Sequence, residues 1–502
     1  MTPKIKKVML IFPPARTTPG RIQVCTQPLG ILYLGTVLRE KNYEVCLLDA
    51  LMEGYNFRRR DGMFIKRGLQ LESILERIED FNPDMVGISC LFSTQFPEVA
   101  RICRSLKVRL PRVTTITGGT HPTFLPRRCL EEVPELDYII RGEGERALLQ
   151  LLENLNSGRR PADVGGLAWR ENGEIKINPP AALMEDLDIL PFPDRSLLDP
   201  EKYWRINLPF STTPRSRFTL PLITSRGCTG TCVFCSSREF WERQYRPRSP
   251  ENVLAEISSL QEKFGVEEID FLDDNMTLDI SRARAIFQGL NDRKMKISWS
   301  LPNGVAAWKL DSGLLRLMKA SGCYQLTLGL ESGDQECLTG IIGKPLKNLE
   351  GIDDKVSLMK QLGIRVCSFI CVGFPGEKPG QIKKSLRYPA RLGIPFAHFF
   401  TATPLPGTEL TRIWQERGEI GEDFDFTKIS FYERTFDTRE IKARKLNHLV
   451  RRSFLFHNLR YIFSQPVSFF RAYCSLVRYH HRLLFQNLFF QIKNLLLYWA
   501  AR

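Results

Sequence analysis

Ser225-Arg-Gly-Cys-Thr-Gly-Thr-Cys-Val-Phe-Cys-Ser-Ser237 carries Cys228, Cys232 and Cys235 in a C-x3-C-x2-C loop. The loop follows an extended apolar segment. It precedes a helix opened by Ser249-Pro-Glu-Asn, with a capping serine and proline at the first position. Three thiolates this close can converge on one polynuclear metal centre. A cubane has four irons, and such clusters are normally held by four cysteines. A set of three leaves one iron open to bind a small molecule and pass it an electron. Structural zinc wants a fourth ligand, usually as two spaced pairs. The next cysteine is Cys323 and the next histidine His398. Zinc, or a chance grouping among the 13 cysteines, stands as the rival reading.

Working outward toward the C-terminus, strand-like and helix-like segments alternate. Leu220 to Ser225 runs into the cysteine loop. Five further strands are predicted at Glu268–Leu272, Lys296–Leu301, Tyr324–Leu330, Arg365–Val372 and Ala397–Thr401. Helical segments such as Arg282–Leu290, Ser312–Ala320 and Lys355–Leu362 separate them. Six β/α repeats predict a parallel partial barrel, open on one side. Functional residues of barrels gather at the carboxyl ends of strands. The distinctive stretches fall there: Asp273-Asp-Asn275, Glu331-Ser-Gly333, Gly373-Phe-Pro-Gly-Glu377 and Thr403-Pro-Leu-Pro-Gly-Thr408.

Working toward the N-terminus, residues 161–217 are rich in proline and turn residues. They read as a linker, with a hairpin from Val164 to Ile177 around Asn172-Gly173. Residues 1–160 alternate again, with strands at Lys7–Phe12, Glu44–Asp49, Asp84–Ser89, Val113–Gly119 and Tyr138–Gly142. This predicts a Rossmann-like, doubly wound α/β sheet, whose ligands bind beyond the carboxyl ends of the strands. Thr117-Gly-Gly-Thr-His-Pro-Thr123 and Arg141-Gly-Glu-Gly-Glu145 lie at such ends. The plain alternative is that these glycines only make tight turns.

The composition fits a globular protein of two or more domains: 502 residues, 43% hydrophobic and 25% charged. Scattered cysteines and no secretory leader pattern suggest a reducing cytoplasm. No run of 18 apolar residues exists, so no spanning helix is expected. The net charge of +15 is uneven. Residues 441–502 hold 11 Lys and Arg and no Asp or Glu, and 13 aromatic residues.

The cysteine loop resembles the signature of the radical S-adenosylmethionine (SAM) superfamily, including the aromatic Phe234 before its third cysteine. Phe-Leu-Asp-Asp-Asn, Gly-Leu-Glu-Ser-Gly, Val-Gly-Phe-Pro-Gly-Glu and Thr-Pro-Leu-Pro-Gly-Thr are similar to landmarks of one subgroup. That subgroup carries an N-terminal cobalamin-binding domain; it includes the anaerobic cyclase of chlorophyll biosynthesis and many C-methyltransferases. The resemblance covers residues 5–410 and implies domains at 1–160 (cobalamin) and 218–435 (radical SAM barrel), with a helical tail at 436–502. It implies that Cys228, Cys232 and Cys235 hold a 4Fe-4S cluster, whose fourth iron SAM chelates. Phe234 would pack near the adenine, and Asp273 or Asp274 would bind the SAM amino group. Glu331 would meet the ribose or amino end, and Gly373 would let the adenine approach. The plain reading of the aspartates is capping of a helix before Leu278. A flavodoxin or ferredoxin would supply electrons.

For cobalamin, the resemblance implies contacts from Ser89, Gly118, Gly119, His121, Gly142, Glu143 and Gly144. One familiar pattern is absent. Cobalamin domains with a cobalt-ligating histidine carry D-x-H-x-x-G; here the stretch is Asp49-Ala-Leu-Met-Glu-Gly54, with Leu51 at the histidine position. His121 is then a residue lining the nucleotide pocket, or a structural one. The expected activity is methylation of an unactivated carbon of a small-molecule or lipid substrate by a deoxyadenosyl radical. The rivals are radical oxidation or cyclisation, and a non-catalytic corrinoid- or redox-binding protein.

The tail reads as helices Leu446-Val450-Phe454-His457, Tyr473-Val477-His481-Leu484 and Leu488–Trp499. It would form a basic cap on the barrel or lie against anionic lipid as a peripheral contact. No RNA-binding signature accompanies it, so nucleic acid is not the expected partner.

Overall fold

The computed structural model describes residues 4–159, 161–211, 214–345, 349–464 and 466. The chain divides into two compact units. The first runs to Pro19, continues from Cys25 to Ile206 and takes in Asp425–Lys428. The second takes in Gly20–Val24, Asn207–Phe424 and the chain from Ile429.

The first unit is built on five parallel strands: β1 (Lys7–Phe12), β2 (Glu44–Asp49), β3 (Met85–Ser89), β4 (Thr114–Gly118) and β5 (Tyr138–Ile140). Their order is β2-β1-β3-β4-β5, so the winding reverses between β1 and β3. Met9, Ile11, Val86 and Ile88 are almost fully buried, because helices cover the sheet. Leu71–Phe81 and Phe96–Arg109 supply Ile74, Ile78, Val99 and Ile102 to that core. The first of these helices ends at Asn82 in the left-handed conformation, at φ 50°.

Two features depart from the sequence reading. The hairpin expected within a linker is β6 (Leu167–Glu171) and β7 (Glu174–Ile177), and β6 pairs antiparallel with β5. It extends the first sheet because Leu167, Ala168 and Trp169 are apolar and buried there. A separate three-stranded sheet joins Ala15–Thr17, Phe64–Arg67 and Arg58–Asp61. Its charged strands lack an apolar period, so no strand was expected. Lys66 is buried there in an ion pair with Glu98.

The second unit has six parallel strands: β8 (Thr219–Leu222), β9 (Glu268–Phe271), β10 (Ser298–Val305), β11 (Cys323–Glu331), β12 (Arg365–Val372) and β13 (Phe396–Thr401). They neighbour one another in chain order, as a partial (β/α)6 barrel requires. One face is apolar: Phe287 of the helix Ile280–Asp292 stacks on Trp299 at 4.7 Å. The opposite face is polar, yet its groups are satisfied. Glu268 accepts from Tyr324 Oη at 2.6 Å and from the Arg215 and Ser216 amides at 2.7 and 2.8 Å. Asp270 accepts from Ser300 Oγ at 2.6 Å and the Ser211 amide at 3.0 Å. Hydrogen bonding of this kind is what makes buried carboxylates tolerable.

The helix Ala443–Ser464 packs on β13. Tyr461 meets Phe396 at 5.3 Å and His457 meets Phe399 at 5.7 Å. Lys442, Arg444, Arg451 and Arg452 stay exposed. Over these residues the tail is a cap with a basic outer face. The helices expected at Tyr473–Leu484 and Leu488–Trp499 lie outside the described residues. No helix among the described residues is long and apolar enough to cross a membrane.

Candidate active site

The cysteine loop leaves β8 and is pinned at several points. Gly227 adopts φ +85°, and a Cβ there would lie 2.0 Å from the Gln244 carbonyl oxygen. Only glycine fits so close an approach. Ser225–Arg226 pairs antiparallel with Arg246–Pro247. Farther along, the Val233 amide donates to Ile342 O at 3.0 Å, and Thr231 Oγ1 to Gly343 O at 2.6 Å. The Leu410 amide donates to Val233 O at 2.9 Å.

Cys228, Cys232 and Cys235 are free and half-buried, whereas Cys323, Cys337, Cys367 and Cys371 elsewhere in this unit are buried. Burial pushes the Cys232 thiol up to about 11 and the Cys235 thiol up to about 12; Lys344 draws the first down, and Asp274 pushes the second further. Loading with iron therefore displaces protons. Among the described residues no His, Cys, Asp and Glu side chains gather closely enough to hold one metal ion. Three accessible thiols on a pinned loop instead suit a cluster, in which each thiolate takes a different iron.

Both aspartates after β9 are engaged with protein. Asp273 Oδ1 accepts from the Thr224 amide at 2.8 Å; its Oδ2 accepts from Thr224 Oγ1 and Ser225 Oγ, each at 2.5 Å. Asp274 accepts from the Gly227 amide at 3.0 Å. They brace the root of the cysteine loop. They do not cap the following helix: Asp279 does that, accepting from the Arg282 amide at 3.0 Å. Arg282 Nη2 donates to Thr224 O at 2.6 Å behind the same segment.

Glu331 ends β11 at φ +62°, a conformation rare for a residue with a side chain. Its carboxylate pairs with Lys344 Nζ at 3.0 Å, both largely buried. The backbone strain and buried pair fit a site where geometry is fixed in advance. Phe234 lies 5.8 Å from Phe374, at the loop after β12. Gly373 has φ +90°, but a Cβ there would meet Leu446 Cδ2 at 2.5 Å and Arg434 Nη2 at 2.6 Å. Protein packing, and not an adenine, fills the space this glycine leaves. Arg434 donates to Gly373 O, and Glu377 accepts from the Gly373 and Phe374 amides. Burial raises Glu377 to about 7 and lowers Arg434 to about 10.

In the first unit the predicted cobalamin residues share the carboxyl rim beside the winding reversal, where open α/β sheets bind ligands. Ser89, Gly118, Gly119, Gly142, Glu143 and Gly144 are half-buried there. Thr123 Oγ1 joins the two glycine turns, donating to Gly119 O at 2.7 Å and accepting from the Gly142 amide at 3.0 Å. Gly142 has φ +76° with nothing within 4 Å of where a Cβ would stand. Gly119 instead abuts Cys90 O, which a Cβ would meet at 2.6 Å. Glu143 is committed to the Met184 amide at 2.8 Å. His121 is 4% exposed, and its Nδ1 meets Ser93 Oγ at 2.9 Å. Burial lowers it to about 4, so the imidazole is neutral. Leu51 is buried and Asp49 accepts from Tyr203 Oη at 2.7 Å, so this stretch offers no cobalt ligand. The rim fits a corrin held through amides and hydroxyls.

Thr224, Lys344, Glu377, Arg282 and Arg434 went unassigned in the sequence. Glu377 ends the stretch Gly373-Phe-Pro-Gly-Glu377, so a local signal for it exists. The others act across 13 to 61 residues of chain, where no local pattern points to them.

The B12-binding domain family matches residues 18–152, and the radical SAM superfamily residues 222–388. The chain is 34% identical to cytidylyl-2-hydroxyethylphosphonate methyltransferase of Streptomyces wedmorensis, over 86% of this chain and 85% of that protein. It is 30% identical to an uncharacterised methyltransferase of Pyrococcus horikoshii, over 91% and 93%. Among solved structures, the radical SAM methyltransferase TsrM of Kitasatospora setae shares the fold at a TM-score of 0.67 and 19% identity, over 82% of this chain and 76% of that one. The chain belongs to the cobalamin-dependent radical SAM methyltransferase family, enzymes that use a 4Fe-4S cluster, SAM and cobalamin.

Proposed function

We propose that this enzyme methylates an unactivated carbon of a small-molecule substrate. When bound, cobalamin would supply a carrier for the methyl group of one SAM, and the cluster on Cys228, Cys232 and Cys235 would supply the low-potential electron that makes a second SAM a source of the hydrogen-abstracting 5′-deoxyadenosyl radical. The observation that carries the reading is the braced loop with three accessible thiols beside the Glu331–Lys344 pair. Cys228, Cys232 and Cys235 bind three irons. Phe234 flanks the bound SAM, and Glu331, fixed by Lys344, meets its polar end. Asp273 and Asp274 act on SAM indirectly, by holding the loop in shape. Ser89, Gly118, Gly119, Gly142 and Gly144 cradle the corrin, while His121 and Glu143 hold the rim together.

An acidic low-potential donor of the flavodoxin or ferredoxin kind supplies electrons. The basic tail, residues 441–502, bears on anionic lipid: Lys442, Arg444, Arg451 and Arg452 are exposed on the outer face of its first helix. Truncation after Glu440 would then abolish co-sedimentation with anionic vesicles; binding that survives would dismiss the membrane role.

The test is anaerobic reconstitution with iron, sulfide and hydroxocobalamin, followed by metal analysis. About four irons and one cobalt per chain are expected. Cys232→Ala should lose iron and 5′-deoxyadenosine formation while keeping cobalt. Iron retained by that variant, or wild-type protein without cobalt, would overturn the assignment.

A further inference from the structure

The barrel's last two strands carry a wall of rings that the cluster site does not use. Along β13, Ala397, Phe399 and Thr401 are buried, whereas His398 and Phe400 stay half-buried on the opposite face. Phe399 is 1% exposed, so a fully closed core is within reach of this strand. Phe369 of β12 stands in register with His398, also half-buried. Its ring lies 5.6 Å from His398 and 5.5 Å from Phe400. Phe400 and His398 are near-parallel, 9° apart at 6.2 Å. Tyr432 continues the row, 5.3 Å from Phe400.

A cation ends the row. Arg21 lies in the short segment Gly20–Val24, which folds with this unit although both flanking segments belong to the other. Its guanidinium sits 3.7 Å over the Tyr432 ring and 5.0 Å from Phe454. Glu433 and Arg451 are its charged neighbours, of opposite effect. The other end of the row leads toward the cysteines. Gly329 stands in register with Phe369, and a Cβ there would lie 3.1 Å from Glu331 Oε1 and 3.2 Å from Lys344 Nζ. Gly304 likewise has no side chain, and a Cβ would meet the Phe369 ring at 3.5 Å. Gly304 thus lets the Phe369 ring lie close against its backbone, and Gly329 leaves its Cβ position to the Glu331–Lys344 pair, so the row of rings ends beside that pair. His398 is surrounded closely enough that burial lowers it to about 4, leaving a neutral imidazole that can donate or accept.

We propose that Phe369, His398, Phe400, Tyr432 and Arg21 form the seat of the methyl acceptor, and that the acceptor is a nucleotide-like molecule with a planar ring on the aromatic wall and a phosphoryl group at Arg21. A guanidinium fork matches two phosphoryl oxygens, and ring faces bind planar groups with little entropic cost. His398 is the hydrogen-bonding group in the middle. This rests on the methyl-transfer reading only for what happens to the bound molecule.

Cytidine 5′-monophosphate combines the two features, and cytidine lacks the anion. Calorimetry on reconstituted holoenzyme should find the nucleotide bound about tenfold to a hundredfold more tightly than the nucleoside, the range of a charge-assisted hydrogen-bonded pair. Arg21→Ala should erase that difference, and Arg21→Lys should restore part of it. Phe400→Leu should weaken both ligands alike. Iron content and melting temperature identify any variant that fails to fold, and Arg21→Lys serves where Arg21→Ala does. No binding of the monophosphate, or equal binding of both ligands to wild type, would overturn the assignment. So would a preference for the nucleotide that survives Arg21→Ala. Failure of the methyl-transfer reading looks different: nucleotide binding dependent on Arg21, with no methylated product.

Discussion

Replacing Asp273 separates a brace from a ligand. The side chain is 3% exposed and accepts three hydrogen bonds, from the Thr224 amide and the Thr224 and Ser225 hydroxyls. Each orphaned buried donor costs about 1–3 kcal/mol. The two hydroxyls can turn toward other acceptors and lose about 1 kcal/mol each, whereas the amide cannot and costs the full penalty, so Asp273→Ala should cost about 3–5 kcal/mol in total. For a unit of this size about 1 kcal/mol moves the melting point by 2–4 °C, so a drop of about 10 °C is expected. Asp273→Asn keeps one acceptor for the Thr224 amide and presents an amide group to hydroxyls that can reorient, so about 1 kcal/mol is expected. Thermal unfolding and iron content should fall together, steeply for alanine and slightly for asparagine. If Asp273→Ala keeps its melting point and its iron but loses SAM affinity, the aspartate is a SAM ligand and the bracing argument is wrong.

Two further perturbations test other parts of the structure. Gly373→Ala must place a Cβ against Leu446 and Arg434 at a left-handed φ, so overpacking of about 1–3 kcal/mol adds to about 1 kcal/mol of backbone strain; unchanged denaturant stability would refute this packing. His121 has a folded-state pKa of about 4, below its ordinary value, so its contribution is present above pH 6.5 and lost as pH falls toward 4. The loss amounts to about 3 kcal/mol once the pH is below 4. The first unit of a His121→Gln variant should therefore lose less stability than wild type between pH 6.5 and 4; parallel curves would show that His121 does not titrate on unfolding.

The strands were legible because each is a run of apolar residues between polar helices, buried on at least one face, as in Lys7–Phe12 and Arg365–Val372. The site was legible where chemistry is local: three cysteines within eight residues, and motifs ending successive strands. Roles spread over distant chain were not. Asp273 looked like a free carboxylate because its partners, Thr224 and Ser225, lie almost 50 residues away. Gly373 looked like room for a ligand because nothing nearby in sequence announces Arg434, 61 residues on. The strand Arg58–Asp61 was invisible because a run of arginines has no alternation for the eye to follow, and pairing with Phe64–Arg67 decides its conformation. Arg21 gave no sign that it folds with a unit whose main body begins at Asn207.

The central claim is that a methyl group from SAM ends on substrate carbon. Reconstituted enzyme, a low-potential reductant and methyl-deuterated SAM should be incubated anaerobically with a small-molecule extract of cells that make the protein, and the mixture resolved by mass spectrometry. The account predicts one compound that exchanges a hydrogen for a CD3 group, with S-adenosylhomocysteine and 5′-deoxyadenosine formed in equal amounts and all three lost in Cys232→Ala. Formation of 5′-deoxyadenosine beside a product that is oxidised or cyclised, and carries no deuterium, would contradict it.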